Sequence, residues 1–286
     1  MRRNSVPMFE QLEGRSMFSA FVGPTTTPVG ADVSGAPIEA PIKHAANAKS
    51  YNMMSVMGYT ARGSSRNYNV AYWFDNNGAT DSGNVAATVQ VASKTKKLDG
   101  KNAIVVSIPG SPAQVGGAFA SDSKGVYVLA SDAVGPGGST HLRLHGLQIS
   151  PATMKVGQRF SDAGTFDGTF TVVINGKTYS GTLSGRAKSV MKITSQQTTV
   201  EPAGQFKTAE IQWDVTLTGT VTLNYEGVKI NYDLNSTNHT RYRVAPGVGI
   251  VYSTTDLDNR YTSTNPFAPS VRTAFTTTFD LTGYDL

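Results

Sequence analysis

The sequence predicts an all-β protein built on one large, curved antiparallel sheet. Three observations support this fold class. Charged residues are only 16% of the 286 residues, glycine occurs 29 times, and apolar residues recur with a two-residue period from about residue 50 onward. Exposed helices usually carry many Glu and Lys side chains, so low charge with many glycines favours strands and turns. We therefore expect a half-barrel, with room for one short helix near residues 45–58.

Residues 1–20 and 21–49 are predicted to be separate from the β domain. Pro24, Pro28 and Pro37 interrupt a stretch rich in Gly, Thr and Ala, so no regular element can extend far. That composition is typical of a linker, and we interpret residues 21–49 as a flexible connection.

The β domain is predicted to span residues 50–286. Proline and glycine clusters mark where a second boundary would fall, near residue 150. We favour a single extended sheet, because both halves carry apolar side chains on one face only.

The clearest hairpin covers residues Phe166 to Leu183. Phe166, Phe170 and Ile174 fall on one face of the first strand, and Asn175-Gly176 suits a type I′ turn because both positions favour positive φ. A second hairpin has the same pattern, with strands at 211–225 and 228–234 and a turn at Glu226-Gly227. The two-residue period predicts nine further strands, at residues 68–74, 85–91, 103–108, 126–130, 141–147, 188–194, 240–244, 249–253 and 272–281.

Threonine shows which side of the sheet meets solvent. Thirteen threonines lie between residues 165 and 222, mostly opposite the apolar positions. A β-branched hydroxyl residue suits a wet sheet face, so one face is predicted to be exposed. A twisted sheet of this size curls around its apolar side, which predicts a concave apolar groove.

No metal or cofactor site is predicted. The chain has no cysteine, which excludes disulfides and thiolate zinc sites. Its histidines are His44, His141, His145 and His239. His141 and His145 are four residues apart in a predicted strand, about 13 Å, which is too far for two ligands of one metal ion. The acidic stretches 75–81 and 256–259 are interpreted as solvated turns or loops and not as calcium sites.

No catalytic residue is assigned, and no nucleic-acid or membrane-spanning role is predicted. The chain lacks nucleophile, phosphate-loop and H-E-x-x-H motifs, and its acids are spread singly. Its net charge is +5, but the densest basic cluster, Lys94, Lys96, Lys97 and Lys101, is interpreted as a solvated strand edge. No run of 18 apolar residues is present, so no membrane helix is expected.

The start of the chain resembles a known targeting segment. Leu12, Glu13 and Arg15, followed by Met17-Phe18, are similar to the LEPR-x-L-L pattern of exported and surface proteins of planctomycete bacteria, with Gly14 where that pattern has Pro. The resemblance implies export to the cell envelope or the medium.

A second resemblance covers about residues 147 to 255. Met154–Phe160, Pro202–Phe206 and Ala245–Val251 resemble the L-K-V-G-x-x-W, P-A-G-T-F and A-P-G-V-G-L-V motifs of exported bacterial β-proteins of the DUF3108/TapB-like kind. This family implies a curved antiparallel sheet similar to that of bacterial lipoprotein carriers, and it supplies no catalytic residue.

Three functions remain open. The leading hypothesis is a non-enzymatic exported protein that binds an apolar, lipid-like or amphiphilic ligand, or a partner chain, on its concave face. The alternatives are a structural cell-surface component without a ligand and an unrecognised hydrolase. Seven aromatic residues are candidates to line the groove, although core packing is the more ordinary use of each: Trp73, Phe74, Phe166, Phe170, Tyr179, Trp213 and Tyr232.

Overall fold

The structure, a computed structural model, describes residues 50–109, 114–135, 138–174, 176–266 and 268–286. The targeting segment, the linker and His44 therefore lie outside the described residues, and they stay predictions from the sequence.

The described residues form fifteen strands and one short helix. In chain order these are β1 (Ser50–Asn52), α1 (Met53–Val56), β2 (Ser65–Asn76), β3 (Ala79–Leu98), β4 (Lys101–Ile108), β5 (Gln114–Ser121), β6 (Gly125–Gly135), β7 (Gly138–His145), β8 (Gln148–Pro151), β9 (Thr153–Lys155), β10 (Arg159–Ile174), β11 (Lys177–Glu201), β12 (Gly204–Tyr225), β13 (Val228–Ala245), β14 (Gly249–Ser263) and β15 (Val271–Asp285).

The predicted large antiparallel sheet is confirmed, and it closes on itself. The strand order is β5-β4-β3-β2-β15-β14-β13-β12-β11-β10-β7-β6, and β5 also pairs with β6. The result is a barrel of twelve strands rather than a half-barrel. Closure gives each of the twelve strands two neighbours and so removes free sheet edges. The short β8 is added beside β6, and β1 pairs with β9 in a separate small sheet.

Several predicted strands merge into longer ones. β11 is 25 residues long and joins two stretches predicted as separate strands, with Gly185 paired to Gly219 of β12 in the middle. The predicted turn at Glu226-Gly227 is confirmed, since both residues have positive φ (47° and 83°). Asn175 lies outside the described residues. The strand β5 was not predicted, and without it the barrel has no closing strand.

The lysine cluster is solvated and lies where β3 extends past β2. Lys94, Lys96 and Lys97 are exposed beyond Gln90, where the pairing of β3 with β2 ends and β3 pairs with β4 alone. Lys101 on β4 donates to Asp122 at 2.5 Å and lies 3.9 Å from the centre of the Tyr127 ring. These lysines therefore lie on a two-stranded extension of the sheet that pairs on one side only, as predicted for a solvated strand edge.

The short helix closes the barrel from within. Asn52 caps α1 by accepting a hydrogen bond from the Ser55 backbone N–H at 3.0 Å, and Met53, Met54 and Val56 are buried. The helix contacts both β6 and β14, which lie opposite each other in the ring of twelve strands. An element that touches both spans the barrel from one wall to the opposite one, so α1 acts as a plug.

The β11–β12 hairpin reaches over the barrel wall. At its tip the Ala203 backbone N–H donates to the Leu281 carbonyl at 3.1 Å, and the Phe206 ring lies 6.2 Å from that of Tyr284. Leu281 and Tyr284 belong to β15, three strands away from β12 in the ring. The tip therefore crosses the ends of β13 and β14.

Candidate functional site

The lumen of the barrel contains a small cavity beside the plug helix. Its volume is about 130 Å³. Its walls come from the segment after α1 and from strands on several sides of the ring, and they include six aromatic side chains: Tyr59, Tyr68, Phe119, Trp213, Tyr242 and Phe279. Tyr59 and Phe119 stack with their ring centres 4.4 Å apart.

Arg66 is the one charged residue among the cavity-lining residues. It belongs to β2, and only 3% of its surface is exposed. Its Nε donates to the Val248 carbonyl at 2.5 Å, and its Nη2 donates to the Gly58 carbonyl at 3.0 Å. Within the described part of the chain, no carboxylate forms an ion pair with this guanidinium.

Two glycines make room for the guanidinium. A Cβ on Gly58 would lie 2.6 Å from Arg66 Nη2 and 2.9 Å from the Cα of Gly249. Both glycines have positive φ, 76° and 99°, which other residues rarely adopt. The Ala245–Val251 stretch singled out in the sequence thus supplies the Val248 carbonyl that accepts from Arg66. It also supplies Gly249, whose backbone lies close to that of Gly58 beside the buried guanidinium.

Burial keeps the surrounding phenols neutral. It raises the pKa of Tyr59, Tyr68 and Tyr242 above the ordinary tyrosine value, while the nearby Arg66 charge opposes the shift at Tyr59 and Tyr68. Burial also lowers the pKa of Arg66, and the two phenols partly oppose this. A guanidinium keeps its proton in proteins even when its pKa falls, so the cavity carries one positive charge.

A second groove, of mixed polar and apolar lining, lies where the ends of β11, β12 and β13 meet, with a volume of about 530 Å³. Its lining combines two stretches singled out in the sequence. The stretch Pro202–Phe206 contributes Gln205 and Phe206, and the stretch Ala245–Val251 contributes Pro246 and Val248. The sequence could not show that these stretches, about forty residues apart, meet in space. Val248 lines the groove, and its backbone carbonyl accepts the hydrogen bond from Arg66 of the cavity.

The aromatic residues proposed to line a groove are placed in several different environments. Trp213 alone of the seven lines the cavity. Phe166, Phe170 and Tyr232 are buried in the main core. Trp73 is 41% exposed, and the other two pair with neighbours outside the cavity: Phe74 with Phe275 and Tyr179 with Tyr225.

The described histidines are paired with aspartates on neighbouring strands. His141 Nδ1 lies 3.0 Å from Asp132 Oδ1, and His239 Nδ1 lies 2.9 Å from Asp214 Oδ1. His145 contacts Asp167. Within the described ranges, no group of three or more His or acidic side chains is arranged to hold a metal ion.

The stretch 256–259 is a strand, so its interpretation as a loop is wrong. It lies in β14, where Asp258 accepts hydrogen bonds from Arg260 and Arg272 at 3.0 Å each. These bonds lower the pKa of Asp258 against the opposing effect of burial. A carboxylate held by two guanidiniums has little capacity left for a cation.

One acidic pair escaped the sequence analysis. Glu201, at the tip of the β11–β12 hairpin, is 9% exposed, and burial together with the Asp280 charge raises its pKa to about 7. Burial also raises the pKa of Asp280. The positive charge of Arg243 opposes the rise of both pKa values. Tyr252, paired with Asp280 across β14 and β15, stacks on Arg243 at 4.6 Å. The hairpin crossing explains the proximity, because Glu201 is far from the other residues in sequence.

No helix within the described residues is both long and apolar enough to cross a membrane. No protein-family model matches the chain, and no curated protein matches it. The resemblance of residues 147–255 to DUF3108/TapB-like proteins therefore stays a prediction.

Three solved structures are similar to this chain at 10% sequence identity. The hypothetical lipoprotein YmcC from Escherichia coli has a TM-score of 0.28, and the match covers 75% of this chain and 87% of that one. A candidate lipoprotein from Parabacteroides distasonis and a candidate exported protein with a YmcC-like fold from Bacteroides fragilis have TM-scores of 0.24 and 0.25. Each of these matches covers 79% of this chain and 96% of the other.

Proposed function

We propose that this chain is a non-enzymatic exported protein whose barrel binds a small apolar or amphiphilic molecule in its lumen. The observation that carries the proposal is the cavity of about 130 Å³ lined by six aromatic side chains. Cavities with a mostly apolar and aromatic lining take up small apolar molecules, and one of about 150 Å³ binds benzene. Export is supported by the N-terminal resemblance to a targeting segment.

The cavity volume limits the size of the ligand. Pockets for drug-sized molecules are roughly 300–1,000 Å³, several times the volume available here. A complete lipid tail does not fit, and a molecule the size of benzene does. The sequence predicted a lipid-like ligand in a groove. The cavity volume restricts the proposal to a small ligand.

Binding of toluene, followed by ligand-observed NMR, tests the proposal on the full chain. We expect saturable binding to the wild type and none to Val115→Phe, because Val115 is a buried cavity residue and a larger side chain fills the space. Val228→Phe is the matched control, since Val228 is 58% exposed at a turn. Equal binding by both variants would place the ligand elsewhere, and no binding to the wild type would favour a purely structural surface protein.

A further inference from the structure

We propose that Arg66 makes the lumen cavity a site for a small organic monocarboxylate. This inference rests on the proposed function and adds the chemical class of the ligand. It starts from the unusual state of the Arg66 side chain, which is buried, charged and held only by two backbone carbonyls.

The guanidinium has donors left over. Arginine carries five N–H donors, and two of them are used on Val248 and Gly58. Its other donors have no acceptor among the described residues, and the side chain lines the cavity. No Arg66 nitrogen is both fully buried and unpaired, so the remaining donors are reachable from the cavity. A ligand acceptor in the cavity would bond to them directly.

The positive charge of Arg66 has no counter-ion among the lining side chains, and this specifies a negatively charged ligand. Burying an ion without a counter-ion is strongly unfavourable. The groups that act electrostatically on Arg66 are the phenols of Tyr59 and Tyr68, and burial disfavours their ionised forms. An anion in the cavity would supply the charge that the lining side chains do not.

The remaining lining specifies what kind of anion fits. Arg66 is the single charged residue there, so one negative charge is balanced and a dianion such as hydrogen phosphate is not. A carboxylate matches the fork geometry of guanidinium. The aromatic walls would hold an apolar body of about the size of benzene. Benzoate combines these features and is the probe of choice.

The test compares benzoate with benzyl alcohol, a neutral molecule of nearly the same shape, by titration calorimetry on the full chain at pH 7. We expect the wild type to bind benzoate at least tenfold more tightly than the alcohol. Arg66→Met keeps an unbranched side chain, although a shorter one, and removes the charge, so it should lose at least tenfold in benzoate affinity and keep its affinity for the alcohol. Arg62→Met is the control, because Arg62 is exposed, and it should leave both affinities unchanged.

The outcomes separate the two proposals. If the alcohol binds as tightly as benzoate, or if Arg66→Met binds benzoate like the wild type, the carboxylate proposal is wrong and the apolar cavity stands. If neither compound nor toluene binds, both proposals fail. If Arg66→Met does not fold, the wild-type preference for benzoate over the alcohol decides the question by itself.

A chain-length series distinguishes a free small acid from the end of a longer fatty acid. Affinity should rise from butanoate to about hexanoate and fall for dodecanoate, because the cavity holds only a body of benzene size. An affinity that still rises at dodecanoate would overturn the small-ligand form of the proposal.

Discussion

At the residue scale, buried polar atoms show where the barrel depends on single hydrogen bonds. The two tryptophans provide a natural comparison. The indole Nε1–H of Trp213 donates to Ser189 Oγ at 2.9 Å inside the barrel, whereas Trp73 is 41% exposed on the outside. Removing a buried donor and leaving its acceptor unpaired in a close-packed site lowers stability far more than changing a surface ring does.

We expect Trp213→Phe to lower the free energy of unfolding by about 1–3 kcal/mol, because it removes this hydrogen bond and leaves both a void and an unpaired Ser189 hydroxyl. Trp73→Phe should change it by less than about 0.5 kcal/mol. Urea denaturation of both variants measures the difference. Equal effects would show that the Trp213 bond contributes nothing to stability.

At the element scale, the β11–β12 hairpin depends on two local features, a close approach of its strands in the middle and a buried carboxyl group at its tip. In its middle, Gly185 and Gly219 face each other across the strands, and a Cβ on Gly219 would lie 2.0 Å from the Ser184 carbonyl oxygen. At its tip, Glu201 is held next to Asp280 and Arg243 where the hairpin crosses the wall.

Gly219→Ala should destabilise the protein by about 1–3 kcal/mol, since the strands must separate to admit the methyl group. Gly283→Ala is the control, because the nearest atom to its added Cβ is 3.8 Å away. Thermal unfolding compares the two. A Gly219→Ala variant as stable as Gly283→Ala would contradict the close approach of the strands.

The hairpin tip should make stability fall as pH rises. The pKa of Glu201 is about 7 in the folded chain against 4.5 as a reference, so the folded chain binds more protons between these pH values. The contribution of Glu201 is therefore most favourable below about pH 4.5 and is lost as pH passes 7. The raised pKa of Asp280 acts with the same sign, and the Arg243 charge opposes both.

Glu201→Gln mimics the protonated carboxyl. It should raise the unfolding free energy at pH 8 by roughly 1–2 kcal/mol and flatten its decline between pH 5 and 8. Glu226→Gln, at an exposed turn, serves as the control and should keep the decline. Denaturant titrations at a series of pH values test this. If the unfolding free energy of Glu201→Gln declines with pH as in the wild type, Glu201 is not the cause of the decline.

At the scale of the whole molecule, the pairing of β5 with β6 converts a curved sheet into a closed barrel with a lumen. Closure predicts that amides on both sides of β5 are hydrogen-bonded, to β4 and to β6. In an open sheet one side of β5 would face solvent.

Hydrogen exchange followed by mass spectrometry measures this directly. Segments 114–121 and 125–135 should exchange as slowly as the central strand β13, while the exposed turn at 122–124 exchanges fast. Fast exchange confined to alternate amides of 114–121 would indicate an open edge and remove the lumen on which ligand binding depends.

The sequence by itself determined the class of fold, because alternating apolar residues and turn pairs such as Glu226-Gly227 are local signals of strands and hairpins. It could not determine closure, since β5 is a short, glycine-containing segment with a weak alternating pattern. Nor could it bring Arg66 to the carbonyl of Val248, 182 residues away, or Glu201 to Asp280. The protonation and the interactions of a charged side chain depend on its burial and on the groups near it. For residues far apart in sequence, only the tertiary structure sets both.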